Sequence, residues 1–329
     1  MNIESLDNSP KGGVLLTPHH SLLTNMVAPV QGHTDAAWRH FHKEVYGGEH
    51  LYYTPFIRLE RGEFRKHDLK DFTSKLNANH HVVAQVIFRN MEELRPLIEG
   101  LVAQGATEID LNTGCPFPLQ TAKGRGAGFI ANVEEYSKIP ALLKEFPDVK
   151  FSLKMRLGFA DPDEWKGVIG AINDIPLTHV TLHPRVAKQQ YGGELYLDKF
   201  AEFQKACKHP VIFNGEIKTP EDITKVRGEF PEIGGVMTAR GILGRPSLLA
   251  EYESGREWSR EERVETMLKF HRMLLNYYES TLCGDSQILS KIKPFWEYAE
   301  EEIGRKAWKA IKKASNIAKY HSGVAMIDV

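Results

Sequence analysis

The sequence predicts an α/β protein in which a (β/α)8 TIM barrel is followed by an all-helical region. Eight short apolar or β-branched runs recur along the chain, and most are followed by a helix-like stretch. This alternation implies parallel strands joined by helical crossovers, and over roughly 250 residues it usually closes into a barrel. From about Trp258 onward, helical patterns continue without strands between them. An open doubly wound sheet is the alternative fold.

The predicted strands set the boundaries of the barrel. They span residues 23–30, 51–57, 82–88, 108–114, 151–158, 179–185, 211–217 and 235–241. Between them, Asn132 and Glu135 have the spacing of a capping box, and Thr219-Pro220 offers a cap followed by a proline at the first helical position. We therefore predict an N-terminal tail at 1–20, a barrel at 21–250 and a helical region at 256–329, whose long helices run over 261–280 and 288–320 with a break at Gly304.

Composition narrows the class of protein. Of 329 residues, 42% are hydrophobic and 26% are charged, which is enough for a sizeable core and argues against disorder. The net charge of -1 neither favours nor excludes a nucleic acid, so a polyanion would need a local basic patch. Three cysteines without a CxxC pair fit a reducing cytoplasm and no zinc site. The N-terminus does not read as a signal peptide, and no apolar run is long enough to span a bilayer.

Functional side chains are concentrated at the carboxyl ends of the predicted strands, where barrels of this kind carry their chemistry. These side chains are Gln31, Gln85, Asn112, Cys115, Lys154, Arg156, His183, Arg185, Asn214, Glu216 and Arg240. Alternation along a strand places Lys154 and Arg156 on one face, and His183 and Arg185 likewise. Any one of them could be a satisfied core residue, but their co-occurrence favours a site.

The last two strand ends place a glycine beside a polar donor. They read Asn214-Gly215 and Arg240-Gly241. Glycine lets backbone N–H groups approach an anion, arginine adds a planar charged fork, and loops in this position often hold a phosphate. Two ordinary glycine turns would read the same way, so the pattern only suggests a phosphorylated cofactor or substrate.

The loop after the fourth strand is the most informative segment. It contains Cys115 where the chain leaves the barrel, and then Lys123 and Arg125 among several glycines. We expect the thiol to be accessible and the two cations to be able to meet phosphates. Cys207 is interpreted as a packing residue in a helical context, and Cys283 is assigned no role.

The end of the chain is basic. Residues 303–322 contain six lysines and arginines and no acidic residue, and Lys309, Lys312 and Lys313 fall on one helical face. For an isolated stretch, a solvated face of an amphipathic helix is the better interpretation.

Six segments together resemble the tRNA-dihydrouridine synthases. Their amino-acid sequences are most similar to those of the bacterial C-type branch. They read MVAPVQGHTD, DLNTGCPFPLQTAKGRGAGFI, SLKMRLGF, VTLHPR, FNGEI and VMTARGILGRP. The Gly-Cys-Pro block followed in order by lysine, histidine and Asn-Gly is the specific part. The resemblance implies an FMN-binding catalytic barrel and a helical tRNA-binding region. The flavin would reduce a D-loop uridine, such as position 16, and NADPH or NADH would bind transiently to reduce the flavin again. It implies no protein partner, and a monomer is expected.

The resemblance also implies roles for individual residues. Cys115 would donate a proton to the base, and Asn112 would help to seat it. The cofactor residues would be Pro29, Val30, Gln31, Gln85, Lys154, His183, Asn214, Gly215, Glu216, Ala239, Arg240 and Gly241. Contacts to the RNA would come from Lys123, Arg125, Arg156, Arg185, Lys291, Lys293, Arg305, Lys309, Lys312 and Lys313.

This sequence departs from the family's usual pattern at three positions. Val30 stands for methionine, Ala239 for glycine, and Pro184 for the glycine between His183 and Arg185. Ala239 brings into question the N–H geometry at a phosphate, and Pro184 removes one donor.

Three other functions fit the same residues. A lyase or aldolase could use Lys154 as a Schiff base on a phosphorylated substrate. Another flavin-dependent barrel could reduce a free pyrimidine or an enoate. An RNA-binding barrel could have lost its activity.

Overall fold

A computed structural model describes residues 24–329 of the protein. The predicted tail at 1–20, and residue 23 of the first predicted strand, lie outside the described residues. Within the described part, no helix combines the length and the apolar character needed to cross a membrane.

Eight parallel strands form a closed barrel in chain order, so the predicted fold is confirmed. The strands are β1 (Thr24–Val27), β2 (Leu51–Tyr53), β3 (His81–Val86), β4 (Glu108–Thr113), β5 (Lys150–Gly158), β6 (Leu177–Val186), β7 (Val211–Asn214) and β8 (Gly235–Thr238). The barrel closes where β1 pairs with β8, with Thr24 opposite Gly235. Closure leaves no sheet edge and brings all eight carboxyl ends to one mouth.

Several strands end earlier than predicted at their carboxyl ends, which lie at the mouth of the barrel. The strands β1, β2, β7 and β8 end at residues 27, 53, 214 and 238, three or four residues before the predicted ends. The remaining residues leave the ladder and form loops over the mouth. Apolar pattern alone could not separate these loop residues from the strands. The structure also contains a short antiparallel pair, Leu59–Glu60 and Glu63–Phe64, that was not predicted.

Pro184 lies at an irregularity in the ladder between β5 and β6. Arg156 pairs with His183, and Gly158 pairs with Val186, so β6 has one extra residue between these two positions. A bulge of this kind leaves a residue unpaired, and proline is tolerated there because no ladder hydrogen bond is required of it.

At least one helix follows each strand of the barrel. The bounds of these helices are Ala36–Tyr46, Lys66–Phe72, Met91–Ala103, Pro118–Thr121, Val133–Leu143, Ile169–Asp174, Leu197–Ala206, Pro220–Glu229, Arg240–Gly244 and Leu248–Ser254. Thr219 and Asp222 make a reciprocal capping box. Asn132 caps its helix as predicted, accepting from the N–H of Glu135, but the Glu135 carboxylate accepts from the N–H of Met91 instead of closing the box.

The helical region packs against the barrel. It comprises Arg260–Thr281, Asp285–Ile292, Glu300–Ile303, Arg305–Lys313 and Ile317–Val324. The Phe270 ring meets Trp38 of the first helix at 5.6 Å between centroids. The basic stretch predicted as one helix is two, because Asn316 is extended and caps a new helix by accepting from the N–H of Lys319.

Candidate active site

A cleft opens at the mouth of the barrel and encloses about 1040 Å³ of space between atoms, including the part open to solvent. All twelve residues predicted to hold the cofactor line this cleft, as do Cys115, Asn112 and Arg156. These residues, from seven of the eight strands or from the loops that follow them, therefore converge on one volume. The thiol of Cys115 and the amine of Lys154 line the same cavity, which is the arrangement the enzymatic interpretation requires.

One wall of the cleft has the form of an anion cradle. Gly241 cannot carry a side chain, because an added β-carbon would collide with the carbonyl oxygen of Ile217. The backbone N–H groups of Gly215, Glu216, Arg240 and Gly241 donate to no carbonyl or side chain in the described part of the chain. Free N–H groups beside a guanidinium make a phosphate site. The donor set therefore fits the phosphate group of a cofactor or substrate.

Arg185 supports this cradle from behind. Its side chain is buried, and it donates to the Glu216 carboxylate at 2.7 Å and to the carbonyl of Gly193 at 2.6 Å. Arg240 donates to the same oxygen of Glu216 at 2.7 Å. Glu216 has a φ of 46°, in the left-handed region. This conformation costs energy for a residue other than glycine, and it is kept only where neighbouring contacts stabilise it. Arg185 does not line the cleft, so the predicted contact with the RNA is replaced by a structural contact to Glu216.

Lys154 and His183 line the cleft beside this cradle, and a β-carbon added at Gly215 would lie 3.4 Å from the His183 ring. Lys154 donates to Oδ1 of Asn214 at 2.9 Å, and Asn214 donates to the carbonyl of Met237 at 2.7 Å. Burial lowers the pKa of Lys154 to about 8, aided by the charge of Arg156, so the amine is mostly protonated at neutral pH. Burial and the surrounding cations hold the pKa of His183 well below its usual value, so this imidazole is neutral.

Cys115 lies on a loop that is fastened to the barrel. Its N–H and that of Gly114 donate to Oδ1 of Asn112 at 2.9 and 3.1 Å, and its carbonyl accepts from Ala127 at 3.0 Å. Burial raises the pKa of the Cys115 thiol, and the charges of Arg156 and Lys154 only partly oppose this. The sulfur is therefore a protonated thiol at neutral pH, which suits an acid and not a nucleophile.

Aromatic residues that the sequence did not indicate also line the cleft, among them Tyr191 and Tyr298. Tyr191 lies between two cations, with the Arg156 guanidinium 5.6 Å and the Arg240 guanidinium 4.7 Å from its ring centroid. Tyr298 comes from the helical region and meets the His33 ring at 5.6 Å. Both belong to segments between regular elements, where periodicity carries no signal. Two guanidinium groups therefore contact an exposed aromatic ring that lines the cleft.

Four further residues predicted to contact the RNA lie outside the cleft. Arg125 is buried and donates to both carboxylate oxygens of Glu93, at 2.9 and 2.8 Å, so it does not face the cleft. Lys123 lines a separate shallow depression beside Arg89. Lys291 pairs with Asp35 at 2.9 Å. Lys293 donates to the carbonyl of Ala314 at 3.1 Å.

The remaining predicted contacts form what we call the basic surface, defined as Lys309, Lys312 and Lys313 on the helix Arg305–Lys313. All three side chains are exposed, and none makes an ion pair with a residue of the described chain. The Lys312 amine lies 4.6 Å from the ring centroid of Trp308. Arg305 is also exposed, 3.8 Å from the carboxylate of Glu300. Among residues 24–329, no cluster of three or more His, Cys, Asp or Glu side chains could hold a metal ion.

The amino-acid sequence is similar to those of known proteins over most of its length. The sequence pattern of the dihydrouridine synthase family matches residues 26–321. The chain is 27% identical over 305 residues to a probable tRNA-dihydrouridine synthase of Treponema pallidum, covering 85% of this chain and 86% of that protein. It is 26% identical over 283 residues to the probable tRNA-dihydrouridine synthase of Aquifex aeolicus, covering 82% and 86%. A probable tRNA-dihydrouridine synthase of Staphylococcus aureus is 26% identical over 268 residues, covering 77% and 78%.

Among solved structures, a complex of 2-naphthoyl-CoA reductase with 2-naphthoyl-CoA superposes with a TM-score of 0.52 at 11% identity. The match covers 71% of this chain and 50% of that one, so the chain spans half the length of that structure. This likeness supports the barrel fold.

Proposed function

Because this chain belongs to the dihydrouridine synthase family, we propose that it is an FMN-dependent tRNA-dihydrouridine synthase. It reduces the C5–C6 double bond of a uridine in the D-loop of tRNA, such as position 16, and takes electrons from NADPH or NADH. The observation that carries the proposal is the convergence of a protonated thiol, a buried amine and an anion cradle on one cleft.

The residues of the cleft fit FMN, which when bound supplies the hydride that the reduction needs. The free N–H groups of Gly215, Glu216, Arg240 and Gly241 would hold its phosphate, and Pro29 to Gln31 would lie against its ring. Gln85, Lys154 and His183 would contact its polar edge. The Lys154 amine is placed to stabilise a negative charge in the cleft, and a hydrogen bond to a charged group is worth about 1.5–3 kcal/mol.

Cys115 supplies the proton. Reduction of the double bond needs an acid at C5, and the raised pKa keeps the thiol protonated until that step. Asn112 holds the backbone of the thiol in place through two hydrogen bonds. Arg156 and Tyr191 at the entrance offer a cation and an aromatic ring to an entering base.

The substrate must present a base that has left its stack, because the cleft lies within the barrel mouth. The basic surface supports binding of the RNA backbone, since exposed lysines without acidic partners attract phosphates. Tyr298 brings the helical region to the edge of the cleft, so an RNA bound there could reach the thiol.

The test begins with the purified protein. We expect bound FMN that is released on denaturation, and we expect NADPH with unmodified tRNA to yield dihydrouridine, mapped by mass spectrometry of nuclease fragments. The Cys115→Ala variant is the control for background reduction. Absence of both flavin and dihydrouridine would reject the proposal.

One observation favours a second candidate, a Schiff-base lyase. The lowered pKa of Lys154 is what such an enzyme needs, and the anion cradle would serve a phosphorylated carbonyl compound equally well. Borohydride trapping of a phosphorylated aldehyde on Lys154, in flavin-free protein, would support this candidate.

A further inference from the structure

A carboxylic acid is buried inside the barrel, below the cleft, and the reaction described above does not use it. Asp110 of β4 is fully buried. Its Oδ1 accepts from the hydroxyl of Ser152 at 2.6 Å, and its Oδ2 accepts from Nε2 of Gln85 at 2.7 Å. Burying a carboxyl group is costly unless its charge is compensated, so this position calls for an explanation.

The hydrogen bonds continue from Asp110 to the backbone of the loop that carries the Cys115 thiol. Oε1 of Gln85 accepts from Nδ2 of Asn112 at 2.7 Å. Oδ1 of Asn112 accepts from the N–H groups of Gly114 and Cys115. The strand register creates this path, because Gln85 pairs with Asp110 across β3 and β4. Alternation along β4 then places Asp110 and Asn112 on the same interior face.

An ionised Asp110 carboxylate determines how the amides of Gln85 and Asn112 are oriented along this series of hydrogen bonds. A carboxylate only accepts, so Gln85 must present its NH2 group to Asp110 and its oxygen to Asn112. Asn112 must then present its NH2 group to Gln85, which leaves its oxygen for the two backbone donors. The reversed order would place an NH2 group against the N–H groups of Gly114 and Cys115, leaving buried donors without acceptors at about 1–3 kcal/mol each.

We propose that Asp110 is a positioning residue whose ionised carboxylate fixes the orientation of the Gln85 and Asn112 amides and thereby the backbone that carries the Cys115 thiol. The role in catalysis rests on the proposed function, whereas the effect on the loop does not. Burial raises the pKa of Asp110 to about 6, and the hydrogen bonds from Ser152 and Gln85, with the charge of Lys154, limit that rise. The group is therefore mostly ionised at neutral pH, in the form that the path needs.

The first test measures the loop directly. Hydrogen exchange of the Gly114 and Cys115 amides, followed by mass spectrometry of short peptides, should speed up by about tenfold in Asp110→Leu, as the loss of roughly one hydrogen bond predicts. Asp110→Asn keeps one acceptor oxygen for Gln85, because the Ser152 hydroxyl can turn to accept from the new amide. It should show a smaller increase of about threefold. Thr181→Val removes an equally buried hydroxyl that has no partner, and it should leave exchange at both positions unchanged.

The second test asks whether Asp110 acts through Gln85. In the holoenzyme, Asp110→Leu should lower kcat by about tenfold and change the KM for tRNA by less than about twofold, because the RNA contacts lie elsewhere. In a Gln85→Leu background, the same substitution should cause almost no further loss, since the path is already broken. An equal loss in both backgrounds would overturn the proposal.

These outcomes separate the two proposals. Unchanged exchange in a folded Asp110→Leu protein, with an active wild type, overturns the positioning role alone. An inactive wild type whose exchange responds as expected leaves the positioning role supported and removes the proposed function. If Asp110→Leu does not fold, Asp110→Asn decides, and exchange equal to that of the wild type overturns the inference.

Discussion

The barrel mouth and the basic surface both carry cations, but in opposite settings. At the mouth, Lys154, Arg156 and Arg185 are wholly or largely enclosed, and each has a specific partner. On the basic surface, Lys309 and Lys313 are exposed and make no hydrogen bond or ion pair within the described chain. A cation whose partners lie in the same protein shapes a site, whereas one without partners is available to an external anion. The difference predicts that substitutions at the mouth change the reaction, while substitutions on the surface change binding.

The largest effect is expected at the mouth. Cys115→Ala should reduce the rate of uridine reduction by about 10²–10⁴-fold, because general acid catalysis contributes on that order. Flavin content and tRNA affinity should stay at wild-type levels, as measured by absorbance and by filter binding. Cys207→Ala, a thiol outside the cleft, is the matched control. A Cys115→Ala enzyme with full turnover would remove the thiol from the reaction.

A smaller loss is expected at Lys154. Lys154→Ala should slow single-turnover reduction by roughly 10- to 100-fold, as the loss of a charge-assisted hydrogen bond implies. The affinity for tRNA should stay within a factor of about two, because this amine is enclosed. The exposed Lys188→Ala on the rim serves as the control. If Lys154→Ala instead weakened tRNA binding and left single-turnover kinetics unchanged, the barrel mouth would behave as we expect of the basic surface.

The basic surface is tested by charge reversal. Changing Lys309, Lys312 and Lys313 to glutamate should weaken tRNA binding by about tenfold or more at low salt and by less at high salt, because salt screens phosphate contacts. The single-turnover rate at saturating tRNA should not change. The same substitutions at the exposed lysines Lys144, Lys205 and Lys208 give an equal change in net charge. Equal weakening by both sets would show that only net charge matters.

A fourth expected effect concerns the pH dependence of stability and leaves catalysis and binding aside. The pKa of Asp110 is raised from 3.8 to about 6 in the folded protein, so the folded state binds this proton more tightly than the unfolded state. Its contribution to stability is therefore fully present below pH 3.8 and is lost as the pH rises through about 6.

Asp110→Asn removes this titration. The free energy of unfolding of the variant, relative to wild type, should therefore rise from about pH 4 to about pH 7, by on the order of 2 kcal/mol. Urea titrations at each pH provide the measurement. Lys154, the nearest cation, stays protonated over this range and does not add to the slope. A difference that does not vary with pH would contradict the assignment.

Much of the barrel and its mouth could be predicted from the sequence, because strand alternation and chain order fix which residues face inward at the carboxyl ends. All twelve predicted cofactor residues reach the cleft for this reason. The partners of long side chains could not be predicted, since they depend on residues distant in the chain. Arg125 pairs with Glu93 and Arg185 pairs with Glu216, and each pairing turns a predicted RNA contact into a structural one.

Two further differences have local causes. The basic stretch predicted as one helix is interrupted, because Asn316 adopts an extended conformation and caps a new helix. The pattern of lysines continues across this break and does not indicate it. Tyr191 reaches the cleft from an irregular loop, where no periodic pattern exists to read. Asp110 stands two residues before Asn112 on the same strand, so alternation predicts that it faces the barrel interior. Its hydrogen bonds to Gln85 and Ser152 depend on residues distant in the chain, and the sequence does not indicate them.

Asp35 shows how closely the two parts of the chain are joined. Its carboxylate caps the helix that follows β1, and it also accepts from the hydroxyl of Tyr278 and from the amine of Lys291, both of which belong to the helical region. One side chain thus holds together the start of the barrel and two later helices. Heat should consequently melt both parts in a single cooperative transition, and a calorimetric trace with two separated peaks would show that they unfold independently.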